Sequence, residues 1–249
     1  MPGSIPMTTG RCVAARGDHP IHSQSTNPEK IMDTFHRSIY EDIERGNLIS
    51  LIPSNAQRLL DVGCNKGKFG DSIKKSRDIE IWGIEPEQES ALIASERLDH
   101  VVTDFFHSGN PIPDNYFDVI TFNDSLEHMA DPASALELSK KKLRTGGRIH
   151  CCVPNIRHID NLEHLLFEKD WRYEESGIRD RTHLRFFTQK SIVRLFESLG
   201  FNVIQTFFIS EKWWDSEKKL RRLLYRFFPQ FMNDTKYIQI VVIAEPTQP

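Results

Sequence analysis

Arg58-Leu59-Leu60-Asp61-Val62-Gly63-Cys64-Asn65-Lys66-Gly67-Lys68-Phe69-Gly70 reads as a short apolar strand ending on a carboxylate, a turn of small residues, and the start of a helix. Glycines at such a turn let a ligand approach the backbone closely, and the helix that follows aims free N–H groups at it. Many nucleotide-binding α/β domains open this way, so the residues downstream decide among them.

From this stretch the apolar pattern alternates between short strands and helices. Strands are predicted over 58–62, 80–84, 100–103, 117–122 and 148–153, with further strand-like runs over 201–210 and 237–244. Helices are predicted to about residue 75, over 87–97, and from an Asp131-Pro132 cap to a stop at Gly146-Gly147. Alternation of this kind implies an α/β fold whose sheet is largely parallel and covered on both faces. Residues 1–26, rich in Gly, Pro, Ser, Thr and His without apolar periodicity, read as a disordered leader, and 27–249 as one domain. Within that domain Asn27-Pro28 starts a predicted helix that runs to about residue 52. The segment 156–187 breaks the rhythm with scattered aromatics and charges, and reads as an inserted lid or substrate segment. Thr188 caps a helix that ends at Gly200, and 213–232 reads as a basic amphipathic helix.

Composition removes several classes. A hydrophobic share of 39% supports a real core, while a net charge of -3 gives no general surface for phosphate, so nucleic acid is not an expected partner. Cys12, Cys64, Cys151 and Cys152 have neither disulfide nor zinc spacing. No apolar run approaches the ~18 residues of a membrane span, and no secretory signal is visible. A cytoplasmic protein with reduced thiols is the expectation.

In open parallel sheets ligands bind beyond the carboxyl ends of the strands. Those ends carry Asp61 with the glycine turn, then Glu85-Pro86, Asp104-Phe105 and Asn123-Asp124-Ser125. Glu85 lies about 20 residues past the glycines, the offset at which a carboxylate accepts from ribose hydroxyls. Asp104 can accept from an adenine amino group, and Asp61 suits a cationic ligand. A dinucleotide fingerprint counted from Gly63 would need glycine where Asn65 and Lys68 stand. No P-loop is present, and no tyrosine is followed by lysine four residues on. Hydride and phosphoryl transfer are thereby disfavoured.

Residues 59–67 resemble motif I of class I S-adenosylmethionine-dependent methyltransferases. Glu85 matches that family's acidic end of strand 2, and Phe117-Asp118-Val119-Ile120 its strand 4. Residues 125–132 (Ser-Leu-Glu-His-Met-Ala-Asp-Pro) and 143–147 (Leu-Arg-Thr-Gly-Gly) are similar to its blocks after strand 4 and before strand 5. Asn65 departs from the commonest pattern, which has glycine, but asparagine tolerates the left-handed conformation better than most residues. The resemblance implies a doubly wound, Rossmann-like sheet of seven strands, the last antiparallel, with S-adenosylmethionine as cofactor. It implies cofactor contacts from Asp61, Gly63, Cys64, Asn65, Gly67, Glu85, Pro86, Asp104, Phe105, Asn123 and Ser125.

The second half resembles a subgroup of bacterial methyltransferases associated with polysaccharide or glycan biosynthesis. The carrying residues are Val153-Pro154-Asn155, Trp171-Arg172-Tyr173, Gly177-Ile178-Arg179-Asp180 and the run 181–188 (Arg-Thr-His-Leu-Arg-Phe-Phe-Thr). Methyl transfer to a small molecule or glycan, at oxygen, is the expected reaction. Asn155, Trp171 and Arg185 are the expected acceptor contacts, the last two by stacking and a charged fork. Two rival readings are a catalytically silent cofactor-binding partner protein and a nucleic-acid methyltransferase, and the latter lacks an N-P-P-[YF] block after strand 4.

In-line attack on a sulfonium methyl depends mostly on orientation, and a base near pH 7 adds about 10²–10⁴-fold for a hydroxyl acceptor. His128 and His183 are the catalytic candidates, each also readable as a packing histidine. With no H-x-x-x-H pair and no His/Cys cluster, no metal site is expected. The 213–232 helix suits an anionic membrane surface near a lipid-linked substrate, but fits better as a cover for the sheet edge or a homodimer contact.

Overall fold

The first strand explains the architecture. In the computed structural model, which describes residues 46–212 and 219–247, β1 (Arg58–Val62) lies inside a seven-stranded sheet. Its side chains alternate, as strand geometry requires. Leu60 and Val62 enter a core with Phe122, Leu136 and Phe196, while Leu59 enters a second core with Phe69 and Ile73. A strand buried on both faces belongs to a parallel sheet covered by helices.

The other strands are β2 (Glu80–Ile84), β3 (His100–Val102), β4 (Phe117–Asn123), β5 (Leu143–Pro154), β6 (Phe201–Glu211) and β7 (Tyr237–Pro246). Their order is β3-β2-β1-β4-β5-β7-β6. Neighbours from β3 to β5 pair in parallel, and β7 runs antiparallel to both β5 and β6. The expected doubly wound α/β sheet with its last strand antiparallel is borne out. β1 sits between β2 and β4, so the chain reverses its winding there and a crevice opens beyond the carboxyl ends of these strands.

Helices cover the sheet at Lys68–Lys74, Gln88–Ser95, Pro132–Lys142 and Gln189–Ser198. Asp131 accepts from Ser134 N at 3.1 Å before the helical Pro132, and Thr188 forms a capping box with Ser191. One expectation fails: Gly146-Gly147 does not stop the helix before β5. That helix ends at Lys142, whose ammonium bonds Ile112 O and Asp114 at 2.6 Å each. β5 then starts at Leu143 with the glycines inside it. Gly146 has φ +75°, and the register with β4 shifts between Phe117 and Val119. The pair marks an irregularity in a strand.

Residues 156–187 contain a short helix at Ile159–Glu163, a wider π turn at His164–Glu168, and bridges Asn155–Phe187 and Glu174–Asp180. The described part of the expected 213–232 helix is two helices, Lys219–Phe227 and Pro229–Met232. Pro229 cannot continue a helix but suits the start of one. Arg221 binds Glu163 at 2.6 and 2.7 Å and also Asp160, pinning the first of these helices to the insertion. The expected leader over 1–26, most of the expected 27–52 helix and residues 213–218 lie outside the described residues. Among the described residues no helix is long and apolar enough to cross a membrane.

β5 also buries His150, which lines a small cavity with Leu48, Phe69, Thr121 and Asn123. Neither ring nitrogen meets a hydrogen-bond partner among the described residues. Burial, helped by Arg148, pushes its pKa down to about 4. An unfolded histidine titrates near 6.5, so below that pH the unfolded chain binds a proton that the folded chain refuses. The stability is fully present above about pH 6.5 and falls by up to about 3 kcal/mol as pH drops toward 4. His150→Leu is expected to flatten this fall in urea titrations between pH 7 and 4, and parallel pH slopes in the two proteins would contradict the assignment.

Candidate active site

The turn after β1 is built by backbone bonds and left-handed residues. Gly63 N and Cys64 N donate to Ile84 O at 2.8 and 3.0 Å, and Gly67 N donates to Cys64 O at 2.9 Å. Gly63, Asn65 and Gly67 have φ of 79°, 47° and 74°. Asparagine therefore occupies the left-handed position foreseen for it. At Gly63 a Cβ would lie 2.6 Å from Ser125 Cβ, so the turn closes directly against the end of β4.

Glu85 has a task that its offset alone did not reveal. Its carboxylate accepts from Asn65 N at 2.8 Å and Glu87 N at 3.0 Å, tying the turn to the end of β2. Burial pushes its pKa up, against these backbone bonds, which lower it. A carboxylate has about four acceptor positions, so the two backbone bonds leave capacity for hydroxyl groups. Asp61 is buried and accepts from Thr121 Oγ1 at 2.6 Å. Thr121 was missed from the sequence, although a polar residue inside the apolar strand 117–122 was a usable signal. Cys64 packs over Gly83, and burial, then Asp61 and Glu85, push its thiol pKa well up. It stays uncharged.

Glu85 N donates to Val102 O at 3.1 Å, which brings β3 and the Asp104-Phe105 pair alongside. Asp104 accepts from His107 Nε2 at 2.8 Å and from Phe105 N at 2.7 Å, and these bonds hold its carboxyl below the usual range. The Phe105 ring and Pro86 are exposed. Asn123 Nδ2 and Ser125 Oγ are buried and meet no hydrogen-bond partner among the described residues. Buried donors without partners are costly unless a ligand satisfies them.

A second cluster lies just past β4. Glu127 is 1% exposed and His183 5% exposed, with Glu127 Oε1 3.9 Å from His183 Nε2. The rings of His128 and His183 meet edge to face with centroids 4.7 Å apart. Leu184 N and Arg185 N both donate to Glu127 O at 2.9 Å, and Arg185 also bonds Ala130 O. Residues 182–185 are thus fastened to the turn that carries Glu127 and His128. Burial, then the neighbouring His183, lowers the His128 pKa. In the sequence Glu127 reads only as part of the block that carries His128, and Thr182 beside Arg181 has no spacing signal; their partnership with the histidines exists only in the fold.

The structure therefore brings Asp61, Gly63, Cys64, Asn65, Gly67, Glu85, Asn123 and Ser125 to one crevice, and His128 and His183 to one cluster. Asn155 stands apart from both. It is fully buried, its amide donates to Asp234 O at 2.8 Å and Tyr237 O at 3.0 Å, and its oxygen accepts from Arg157 N at 3.0 Å. A side chain with every polar atom used inside the fold ties β7 to the insertion and has no face for an acceptor. Trp171 packs edge-on against Phe186 at 5.1 Å within the insertion.

Residues 24–206 match the model of the methyltransferase domain family. A 27-O-demethylrifamycin SV methyltransferase of Amycolatopsis mediterranei is 31% identical over 110 residues, covering 41% of this chain and 40% of the relative. A ubiquinone biosynthesis O-methyltransferase of Aeromonas salmonicida is 28% identical over 157 residues, covering 58% of this chain and 62% of the relative. The chain thus spans about half the length of these relatives. Among solved structures, a S-adenosylmethionine-dependent methyltransferase from Archaeoglobus fulgidus superposes with a TM-score of 0.61 at 20% identity, covering 80% of this chain and 90% of that one. A [4+2]-cyclase shares the fold at a TM-score of 0.54 and 19% identity, covering 82% of this chain and 80% of that one. Fold likeness alone does not fix the reaction.

The crevice fits the family's cofactor, S-adenosylmethionine. Two carboxylates suit its ammonium and ribose hydroxyl groups, Ser125 packs against Gly63 with its hydroxyl unpartnered among the described residues, and the exposed Phe105 ring offers a face for a base. By the family match over 24–206 and by the topology of its sheet, the chain belongs to the methyltransferase domain family, in its class I, S-adenosylmethionine-dependent branch.

Proposed function

We propose that this chain transfers a methyl group from S-adenosylmethionine to a hydroxyl oxygen of a small molecule or glycan. The observation that carries the reading is the nearness in sequence and structure of two groups of residues: the acidic, glycine-turned crevice ending at Ser125, and the Glu127–His128–His183 cluster that follows it, with Glu127 and His183 buried and His128 half-buried. The relatives named as a 27-O-demethylrifamycin SV methyltransferase and a ubiquinone biosynthesis O-methyltransferase support oxygen as the acceptor atom.

When bound, S-adenosylmethionine supplies an electrophilic methyl whose C–S electron pair stays on sulfur as the acceptor oxygen takes the methyl and its proton passes to solvent. Asp61, Glu85 and the 63–67 turn hold the donor side, with Asn65, Gly67, Pro86, Asp104, Phe105, Asn123 and Ser125 around it. His128 and His183 orient and activate the acceptor hydroxyl. Trp171 and Arg185, in the 156–187 insertion, cover the acceptor from outside, and the insertion excludes water from the methyl.

The test is incubation with methyl-labelled cofactor and separated pools of small hydroxylated metabolites and glycans. Label is expected in one of these pools as a base-stable ether. Cofactor binding with no label in either pool would overturn the reading and favour a catalytically silent partner protein.

A further inference from the structure

We propose that Glu127, His128 and His183 form a binding site for one divalent transition-metal cation. The inference concerns the residues that the proposed function assigns to the acceptor. It rests on that reading for its purpose and on the side-chain chemistry for its ligands.

The three residues each offer one ligand atom, and these atoms lie within 4.8 Å of one another. Two histidines and a carboxylate form a donor set that suits Zn²⁺, Fe²⁺ or Mn²⁺ rather than the all-oxygen cages of Ca²⁺ and Mg²⁺. No ion is present in the structure.

Hydrogen bonding fixes which nitrogen of each ring can be a ligand. His183 Nδ1 lies 3.1 Å from Ile178 O, and a carbonyl can only accept, so Nδ1 carries the proton and Nε2 the lone pair in the neutral ring. His128 Nδ1 faces Thr182 O at 3.3 Å and Thr182 Oγ1 at 3.1 Å. Thr182 Oγ1 gives its own proton to Asp180 Oδ1 at 2.7 Å, so it too accepts from the ring. His128 is therefore also an Nδ1–H tautomer with its lone pair on Nε2. Histidine held by an Nδ1–H bond to an oxygen, with Nε2 left as donor, is the arrangement that orients metal-ligating imidazoles.

The ligands come from two segments far apart in sequence, joined by the two bonds to Glu127 O, which is why no local spacing announces the site. A cation there would clamp the 156–187 insertion to the end of β4 and hold the acceptor oxygen, lowering the hydroxyl's pKa. The proton still leaves to solvent and the oxygen still takes the methyl.

The test uses the full chain stripped by a chelator and titrated with Co²⁺, followed by visible absorption and by metal content after dialysis. One equivalent is expected to bind with d–d bands and to be displaced by Zn²⁺. His183→Asn and Glu127→Gln are each expected to weaken Co²⁺ binding at least tenfold while S-adenosylmethionine affinity stays within twofold. Because these two side chains are buried, the half-buried His128→Gln serves as a third variant, with the same loss expected and cofactor binding as its fold control. No Co²⁺ bands at one equivalent, or an unchanged titration in His128→Gln, would overturn the site. If S-adenosylmethionine binds but the cation does not, only this inference fails. A wild-type chain that binds no S-adenosylmethionine counts instead against the proposed function beneath it.

Discussion

Glu85→Ala is expected to weaken S-adenosylmethionine binding by about 100-fold, near 3 kcal/mol. The residue acts twice. It accepts backbone N–H bonds from Asn65 at 2.8 Å and Glu87 at 3.0 Å, which set the turn and the entry to the helix after β2. Its remaining acceptor positions are those proposed for the ribose hydroxyls. Hydrogen bonds to a charged group contribute about 1.5–3 kcal/mol each, so losing the ribose contacts together with the turn's anchor is enough to reach this loss. Glu85→Gln should recover only part of it, because an amide offers one acceptor oxygen where the carboxylate has two. Equilibrium dialysis against labelled cofactor checks both, and wild-type affinity in Glu85→Ala would remove Glu85 from the site.

The second large effect is structural. Gly63→Ala places a methyl group 2.6 Å from Ser125 Cβ on a residue whose φ is +79°. The left-handed conformation costs an alanine roughly 1–2 kcal/mol, and forcing β4's end away from the turn adds about 1–3 kcal/mol. A loss of about 2–5 kcal/mol in urea unfolding is expected from these two costs, together with loss of cofactor binding. Gly146→Ala is the matching control. Its φ is +75°, yet a Cβ there meets nothing within 4 Å. It should show the conformational cost alone and keep cofactor binding. Equal destabilisation in the two variants would mean that the contact with Ser125 is not what closes the turn.

The sheet was legible because short apolar runs alternate with helical stretches, and most of the runs are followed within a residue or two by a polar or turn residue. β1 and β2 fall on the predicted residues, and β4 runs one residue further, through Asn123. The glycine turn was legible for the same reason: Gly63, Asn65 and Gly67 occupy positions where other residues are strained. Gly146-Gly147 misled because glycine signals a helix stop and a strand irregularity equally well, and the difference depends on pairing with β4. The cofactor side was readable at fixed offsets from one turn. The cluster past β4 was only half readable, since Glu127 and His128 adjoin in sequence while His183 and Thr182 arrive from the insertion. Asn155 shows the converse: its family pattern suggested an acceptor contact, while its neighbours in the fold, Asp234, Tyr237 and Arg157, use all its polar atoms.

The most direct test of the central claim is calorimetric titration of the full chain with S-adenosylmethionine and, separately, with a nicotinamide dinucleotide. One-site binding of S-adenosylmethionine, lost in Asp61→Ala and Glu85→Ala, with no heat from the dinucleotide, is the expected result. Binding of the dinucleotide instead, or no binding of either nucleoside, would contradict it.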